Sequence, residues 1–346
     1  MKNVSPFQAV MHRRMTTMEK YLLVIIVAYV AVVSVKNPLF FTPETLFDMV
    51  RSGSGTMLLA LGVLLVLVSG GIDVSFPAVA IVSSYIAVLT LDRTGIDHLG
   101  LALAVSITIG TLLGALNAAL IHLLRLPTLI VTLGTASVYH GLMAVLLGTD
   151  DFTTGEMPQS LLDFGNASLL TVVDAETGRS FSLTVFLPIT VAAVVAIWFV
   201  LHRTMLGRSV FAIGSDEESA SRLGINIFRT KLVVYATVGA LAGLMGVMLF
   251  SELKNANPTA TLIGDELMVI AAVVIGGAKL TGGEGTVLGT FLGVVTIQLF
   301  QQTLVLLGLS TLWSDVFFGS VLLCSLAVMY RRQRAADRRN LVFTAA

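Results

Sequence analysis

Charge is what this sequence has least of. Only 12% of its 346 residues are Asp, Glu, Lys or Arg, while 55% are hydrophobic; soluble domains carry roughly 25% charged residues. A soluble core could not hide that much apolar surface in a chain of this length, so lipid must cover part of it. The formal net charge is zero, which gives no sign of a nucleic-acid partner. The one cysteine, Cys324, allows no intrachain disulfide and supports no Cys-based metal site. Set in an apolar run, it reads as a small buried hydrophobe.

Catalytic motifs are missing as well. No Gly-Lys-Ser/Thr occurs, so there is no phosphate-cradling loop and the chain does not hydrolyse ATP itself. Leu280-Thr281-Gly282-Gly283-Glu284 imitates the signature loop of transport ATPases, but it lies between two spans and reads as a tight Gly turn. Neither His-Glu-x-x-His nor Gly-x-Ser-x-Gly is present, which argues against intramembrane hydrolysis. No catalytic residue, metal site or cofactor is expected. Ion-driven transporters keep ionisable groups at mid-membrane, and here the spans are nearly empty of them.

What is there is a series of long apolar runs. A span needs roughly 20 mostly apolar residues. Tyr21–Val35, Ser52–Ile72, Val74–Leu91, Leu99–Ile121, Leu126–Thr149, Phe181–Leu201 and Leu232–Ser251 each read as one helix. Leu267–Ala278 is a short or tilted eighth, Gly285–Ser314 contains a ninth and the start of a tenth, and Val316–Tyr330 completes that last one. The first run follows basic residues, as a signal peptide would, but no small-x-small cleavage site comes after it. The expected fold is therefore an all-α, polytopic membrane protein of about ten helices. It reads as one transmembrane domain over 1–346, with six spans in 21–201, a linker at 202–231, four spans in 232–330 and a basic tail at 331–346.

Orientation follows from Lys and Arg. Four precede Tyr21, five lie between His202 and Lys231, and five follow Tyr330: fourteen of the 21 in the chain. All three segments, both termini included, should be cytoplasmic. The loop from Gly148 to Ser180 carries six carboxylates against Arg179 alone and fits the outside.

Few residues in the spans could carry chemistry. His140, beside Ser137 and Tyr139, reads either as a path residue or as a hydrogen-bonded packing group. Asp73 follows Gly70-Gly71 at a span boundary and could line a path or cap the next helix. Thr132, Ser137 and Gln298 offer neutral polar contacts to a solute, or bond helix to helix. Val68–Asp73 and Val274–Lys279 both close a span with Gly-Gly, either an echo of a duplicated transporter or a device for close packing.

The linker is more informative. Ser215-Asp216-Glu217-Glu218 has the pattern of a capping box, with Ser215 bonding the Glu218 N–H and Glu218 reaching back. Glu218 and Arg222 stand four apart on one face. Gly224 can end the helix in a left-handed turn. A capped helix of two or three turns is expected on the cytoplasmic side, suited to docking another protein or serving as a connector.

Several segments together resemble the permease subunits of bacterial ATP-binding-cassette importers of the ribose type. They are Ser69–Ser75, Leu126–Thr135, Ala212–Ile225 with the Glu218-Ser219-Ala220…Gly224 spacing, Val274–Thr290 and Gly308–Trp313. Phe76-Pro77-Ala78 departs from the family's usual Val-Gly-Ser, and Asp216 from its Asn. The resemblance implies a transport subunit of the bacterial cytoplasmic (inner) membrane that imports a monosaccharide or related small polyol. It implies partner ATPase subunits on the cytoplasmic side, a second permease subunit (identical or a sister chain) and an extracytoplasmic sugar-binding protein. It makes Ser215, Glu217, Glu218, Arg222 and Gly224 the ATPase-coupling segment. An ion-coupled secondary transporter, or an importer of a nucleoside or branched-chain amino acid, are the alternatives.

Overall fold

Apolar helices, several of them opened by side-chain caps, account for most of the architecture. A computed structural model describes residues 15–37, 40, 42–148, 150–173, 179–258, 262, 264–310, 312–320, 323, 324, 327 and 331. The first helix, α1 (Thr17–Lys36), opens with a capping box between Thr16 and Glu19. α2 (Pro43–Val68) starts with Thr42 accepting the Thr45 N–H and Pro43 in the first turn, where its missing N–H costs nothing. α3 (Phe76–Thr94), α4 (Leu99–Leu124) and α5 (Thr128–Leu146) follow. The loop after α5 holds a short helix, α6 (Gln159–Asn166), and an antiparallel hairpin of β1 (Ser168–Val173) and β2 (Ser180–Thr184). α7 (Phe186–Arg203) leads into the linker, α10 (Ile227–Leu253) leaves it, and α11 (Asp265–Ile275) and α12 (Val287–Leu306) close the bundle.

Among the described residues, eight helices are long and apolar enough to cross a membrane: α1, α2, α3, α4, α5, α7, α10 and α12. Six of them precede the linker, as expected. The predicted eighth span is α11, only 11 residues long; at 1.5 Å per residue it covers about 16 Å and cannot cross a ~30 Å hydrocarbon core alone. Residues 313–320 are helical, and seven of the fifteen residues from Val316 to Tyr330 lie outside the described residues. The predicted start of the sixth span at Phe181 is corrected. Residues 180–184 alternate polar and apolar, pair with β1, and yield to the helix only after Thr184 accepts the Phe186 N–H at 3.2 Å. Hydropathy alone does not separate such a strand from a helix start. Cys324 is exposed, not buried: an apolar run that lipid or a partner subunit can cover needs no burial within its own chain.

α2 is the centre of the bundle. Met57 through Val68 are all buried, and α7, α10, α11 and α12 pack around it; a helix apolar on every side belongs inside. The closest crossing is between α4 and α10. A methyl group at Gly110 would overlap the Gly239 carbonyl, and one at Gly114 the Tyr235 carbonyl. Ser106 Oγ donates to the Gly243 carbonyl at 2.8 Å. Small residues let the two backbones touch, as membrane helices do where no hydrophobic effect draws them together. Leu112, Leu116, Leu133, Leu142 and Val195 are exposed on α4, α5 and α7, apolar surface that lipid or a partner subunit has to cover.

The two ends of the bundle differ. At one end the acidic loop lies across α3 and α10: Tyr85 Oη donates to the Asp150 carbonyl at 2.9 Å, and Phe152 pairs with Ala256 in a β-bridge. The basic linker lies at the other end.

Candidate functional site

The linker forms two helices, α8 (Met205–Ser215) and α9 (Glu217–Arg222). Ser215 is the last residue of α8 and donates its Oγ to the Phe211 carbonyl at 2.9 Å. The predicted capping box is therefore not formed. Asp216 is the cap instead, its Oδ1 accepting the Ser219 N–H at 2.9 Å; that bond holds its carboxyl below the usual range. Ser and Asp are comparable caps, and continuation of α8 through Ser215 moves the register by one residue. α9 has six residues, shorter than the expected two or three turns. Glu218 does pair with Arg222, at 2.6 Å and on the surface. Gly224 has φ +83° and ends α9 as expected, with Ile225 N–H bonded to the Ala220 carbonyl. Glu217 reaches Lys231, in the first turns of α10, at 2.7 Å.

Gly214 places the linker against the spans. A methyl group there would overlap the Val68 carbonyl oxygen and come within 2.6 Å of the Gly283 nitrogen. Gly283 N–H donates to that same Val68 carbonyl at 3.0 Å. Gly282 (φ +91°) lies against Gly70 and Gly214, and a Cβ at Gly283 would stand 2.6 Å from Ser215 Oγ. Three segments, 68–71, 214–215 and 282–283, thus meet backbone to backbone. The Leu280–Glu284 stretch is the tight turn expected of it, with Lys279 and Glu284 paired across it.

The Gly-Gly echo is geometrical. α2 ends with Gly70 N–H on the Leu67 carbonyl and Gly71 N–H on the Val66 carbonyl; α11 ends with Gly277 N–H on Val274 and Ala278 N–H on Val273. Both are Schellman turns with a left-handed glycine, Gly70 at +84° and Gly277 at +95°. The first is followed by a short irregular stretch and α3, the second by the Leu280–Glu284 turn and α12.

The polar residues named for the path fall into three places. Asp73 and Thr132 come together. Asp73 Oδ1 accepts from Ser75 N and Ser75 Oγ at 2.7 and 2.6 Å, in a turn just before α3, while Thr132 Oγ1 bonds the backbone of Ile72 and Val74. The chain continues from Asn117 Nδ2 to Ser75 Oγ at 2.7 Å and from Tyr139 Oη to Asn117 Oδ1 at 2.8 Å. All five are buried. Asn117, seven residues from the end of α4, sits about 10 Å inside the bundle. Its role was not legible in the sequence: an Asn within a 26-residue apolar helix is the signal available.

Ser137 and His140 lie on a different surface of α5. Ser137 is exposed and donates to Leu133 of its own helix; His140 is half-buried and feels the Glu266 carboxylate from α11. Gly134 and Gly141 have open space where a side chain would be. Gln298 is elsewhere again, joining α12 to α2: it accepts from Ser52 Oγ at 2.9 Å and donates to Thr56 Oγ1 at 3.1 Å. Among the described residues no group of three or more His, Cys, Asp or Glu could hold a metal.

A helical bundle with a polar seam inside it, an open face on α5 that carries Ser137 and a basic linker wedged against two glycine turns has the architecture of a membrane permease. The chain belongs to the family described as "Branched-chain amino acid transport system / permease component", whose pattern matches residues 45–326. It is a multi-pass transport subunit of the cytoplasmic membrane. It is 32% identical over 319 residues to the ribose import permease protein of Escherichia coli, covering 91% of this chain and 95% of that one. It is 35% identical to the ribose import permease protein of Bacillus subtilis (89% and 90%) and 30% identical to the L-arabinose ABC transporter permease protein of Azospirillum brasilense (90% and 86%). No solved structure gives a significant match.

Proposed function

We propose that the chain is the membrane-spanning subunit of an ATP-driven importer for a monosaccharide or related small polyol, forming the translocation path and coupling it to a separate ATPase. The observation that carries the coupling is the junction at Gly214. A short, charged, capped segment is anchored by Lys231 to α10 and by backbone contact to α2 and the Gly282-Gly283 turn. Force applied to α9 by partner ATPase subunits would move these elements together. Ser215, Glu217, Glu218, Arg222 and Gly224 remain the coupling residues of this reading, and Asp216 joins them.

The sugar class is supported by the named relatives, whose names specify ribose and L-arabinose import, and by the near absence of fixed charge along the α5 face. Ser137 and His140 on that face would touch the solute, and a second permease subunit would close it. Asp73 and Thr132 shape the wall behind it, and Gln298 the far side of the bundle. A secreted sugar-binding protein would deliver the solute to the acidic-loop end.

The test is uptake in a deletion strain. Loss of uptake of one sugar, restored by the chain and abolished by ATP depletion but not by an ionophore, is expected. Collapse with the ionophore alone would favour ion coupling, and loss of amino acid uptake with sugar uptake intact would overturn the substrate class. Orientation is tested in a Cys324→Ala background. Cysteines at Gly155 and Ser219, both exposed, should label from opposite sides of the membrane.

A further inference from the structure

At the acidic-loop end, a cavity of about 170 Å³ lies between α2, α10 and the start of α11. It is distinct from the open face of α5. Its walls have two characters. Met245, Met248 and Leu249 give one apolar side, while Glu252 and Asp265 bring two carboxylates and Thr56 a hydroxyl to the other. Both carboxylates are half-buried. Among the described residues, neither carboxylate has a hydrogen-bond donor from the protein, and the groups acting on them electrostatically are Arg51 and Asp48 for Glu252 and Glu266 and Asp315 for Asp265. Thr56 is held in place by Gln298. Both carboxylates line the cavity, and an ionised carboxylate is an acceptor for the hydroxyl of a solute placed there.

A cavity of roughly 150 Å³ accommodates one six-membered ring. A monocyclic polyol has that size. It has one face of C–H groups that suits the thioethers and Leu249, and a rim of hydroxyls that donate to carboxylates. We infer that this cavity is an entry site for one monosaccharide molecule within a single subunit, with Glu252 and Asp265 accepting its hydroxyls. The inference rests on the sugar-import reading for its ligand class. Because the residues belong to one subunit, the site would be complete without the second permease.

The experiment uses the full chain in lipid nanodiscs, with a cysteine at Leu249, a partly exposed lining residue, in the Cys324→Ala background and a small thiol reagent. Labelling should be slowed at least fivefold by millimolar ribose or arabinose. That protection should disappear in the Glu252→Gln, Asp265→Asn double variant. A cysteine at Gly155 should show no protection. A second variant, Met248→Trp, should fill the cavity and lower uptake by the assembled importer at least tenfold while the assembly purifies intact. No labelling at position 249, labelling that neither sugar slows, or full uptake by Met248→Trp overturns the site. If the assembled importer moves sugar in those cases, the sugar-import reading stands and only the entry site fails. If it moves no sugar, that reading fails first.

Discussion

Gly214 and Val68 meet backbone to backbone, 146 positions apart in the chain, with the Gly283 N–H bonded to the same Val68 carbonyl. This contact leaves no space for a β-carbon. Gly214→Ala should therefore push α8 off the end of α2, at a cost of about 1–3 kcal/mol. Gly224 differs: nothing lies within 4 Å of its missing Cβ, and only its φ of +83° demands glycine. Gly224→Ala should cost about 1 kcal/mol of local strain. Uptake measured alongside assembly yield should fall far more for Gly214→Ala. Equal uptake in the two variants would show that the junction transmits nothing. Gly224→Pro removes the N–H that bonds Ser221 as well, and should be the worse of the two changes at 224.

The two ion pairs of α9 should behave differently. Glu218–Arg222 is about three-quarters exposed on both sides, so its loss costs at most about 0.5 kcal/mol. Glu218→Lys should leave expression intact, and any loss of ATPase co-purification would report docking. Glu217–Lys231 ties α9 to a Lys whose side chain is only 16% exposed. Lys231→Met should keep the ATPase bound but lower uptake per ATP hydrolysed. A normal transport-to-hydrolysis ratio in this variant would remove Lys231 from the lever.

Asp216, not Ser215, should control the cap of α9. Its carboxyl titrates below the ordinary range because it accepts the Ser219 N–H. A depressed folded pKa adds stability above the unfolded value of about 3.9, and that stability is lost as pH falls through the folded value. Amide-exchange protection of α9 should thus be flat from about pH 8 to about pH 5 and fall only below about pH 4. Asp216→Asn should keep the cap and abolish the acid step, since Asn caps as well as Asp. Asp216→Ala should lose protection at every pH, and Ser215→Ala at none.

The buried seam should be structural where the α5 face is not. Tyr139→Phe removes the donor to Asn117 Oδ1 and leaves that oxygen buried, which costs about 1–3 kcal/mol. Ser137→Ala removes only an exposed bond within α5 and should stay within about 0.5 kcal/mol. Thermal unfolding in detergent separates the two. Uptake by Ser137→Ala then reads the path without a stability term, and unchanged uptake there, for every sugar carried, would remove Ser137 from it.

Sequence alone determined the positions of the long spans, the linker between the sixth and seventh of them, the basic and acidic faces, and the left-handed glycine at 224. These are local properties: an apolar run, a charge cluster or a chain reversal is decided by neighbouring residues. Where local chemistry was degenerate, the reading slipped by a residue or by an element. Ser215 and Asp216 are both good caps, and residues 181–184 are apolar enough for helix or strand. Tertiary structure alone decided which backbone Gly214 touches, that Asn117 reaches Ser75, and that Glu252 and Asp265 share a cavity. Each joins elements through shape across the bundle, and shape at a helix crossing leaves no periodic mark in a uniformly apolar sequence. A glycine needed for close approach and one needed for a turn look the same until the neighbouring backbone is in place.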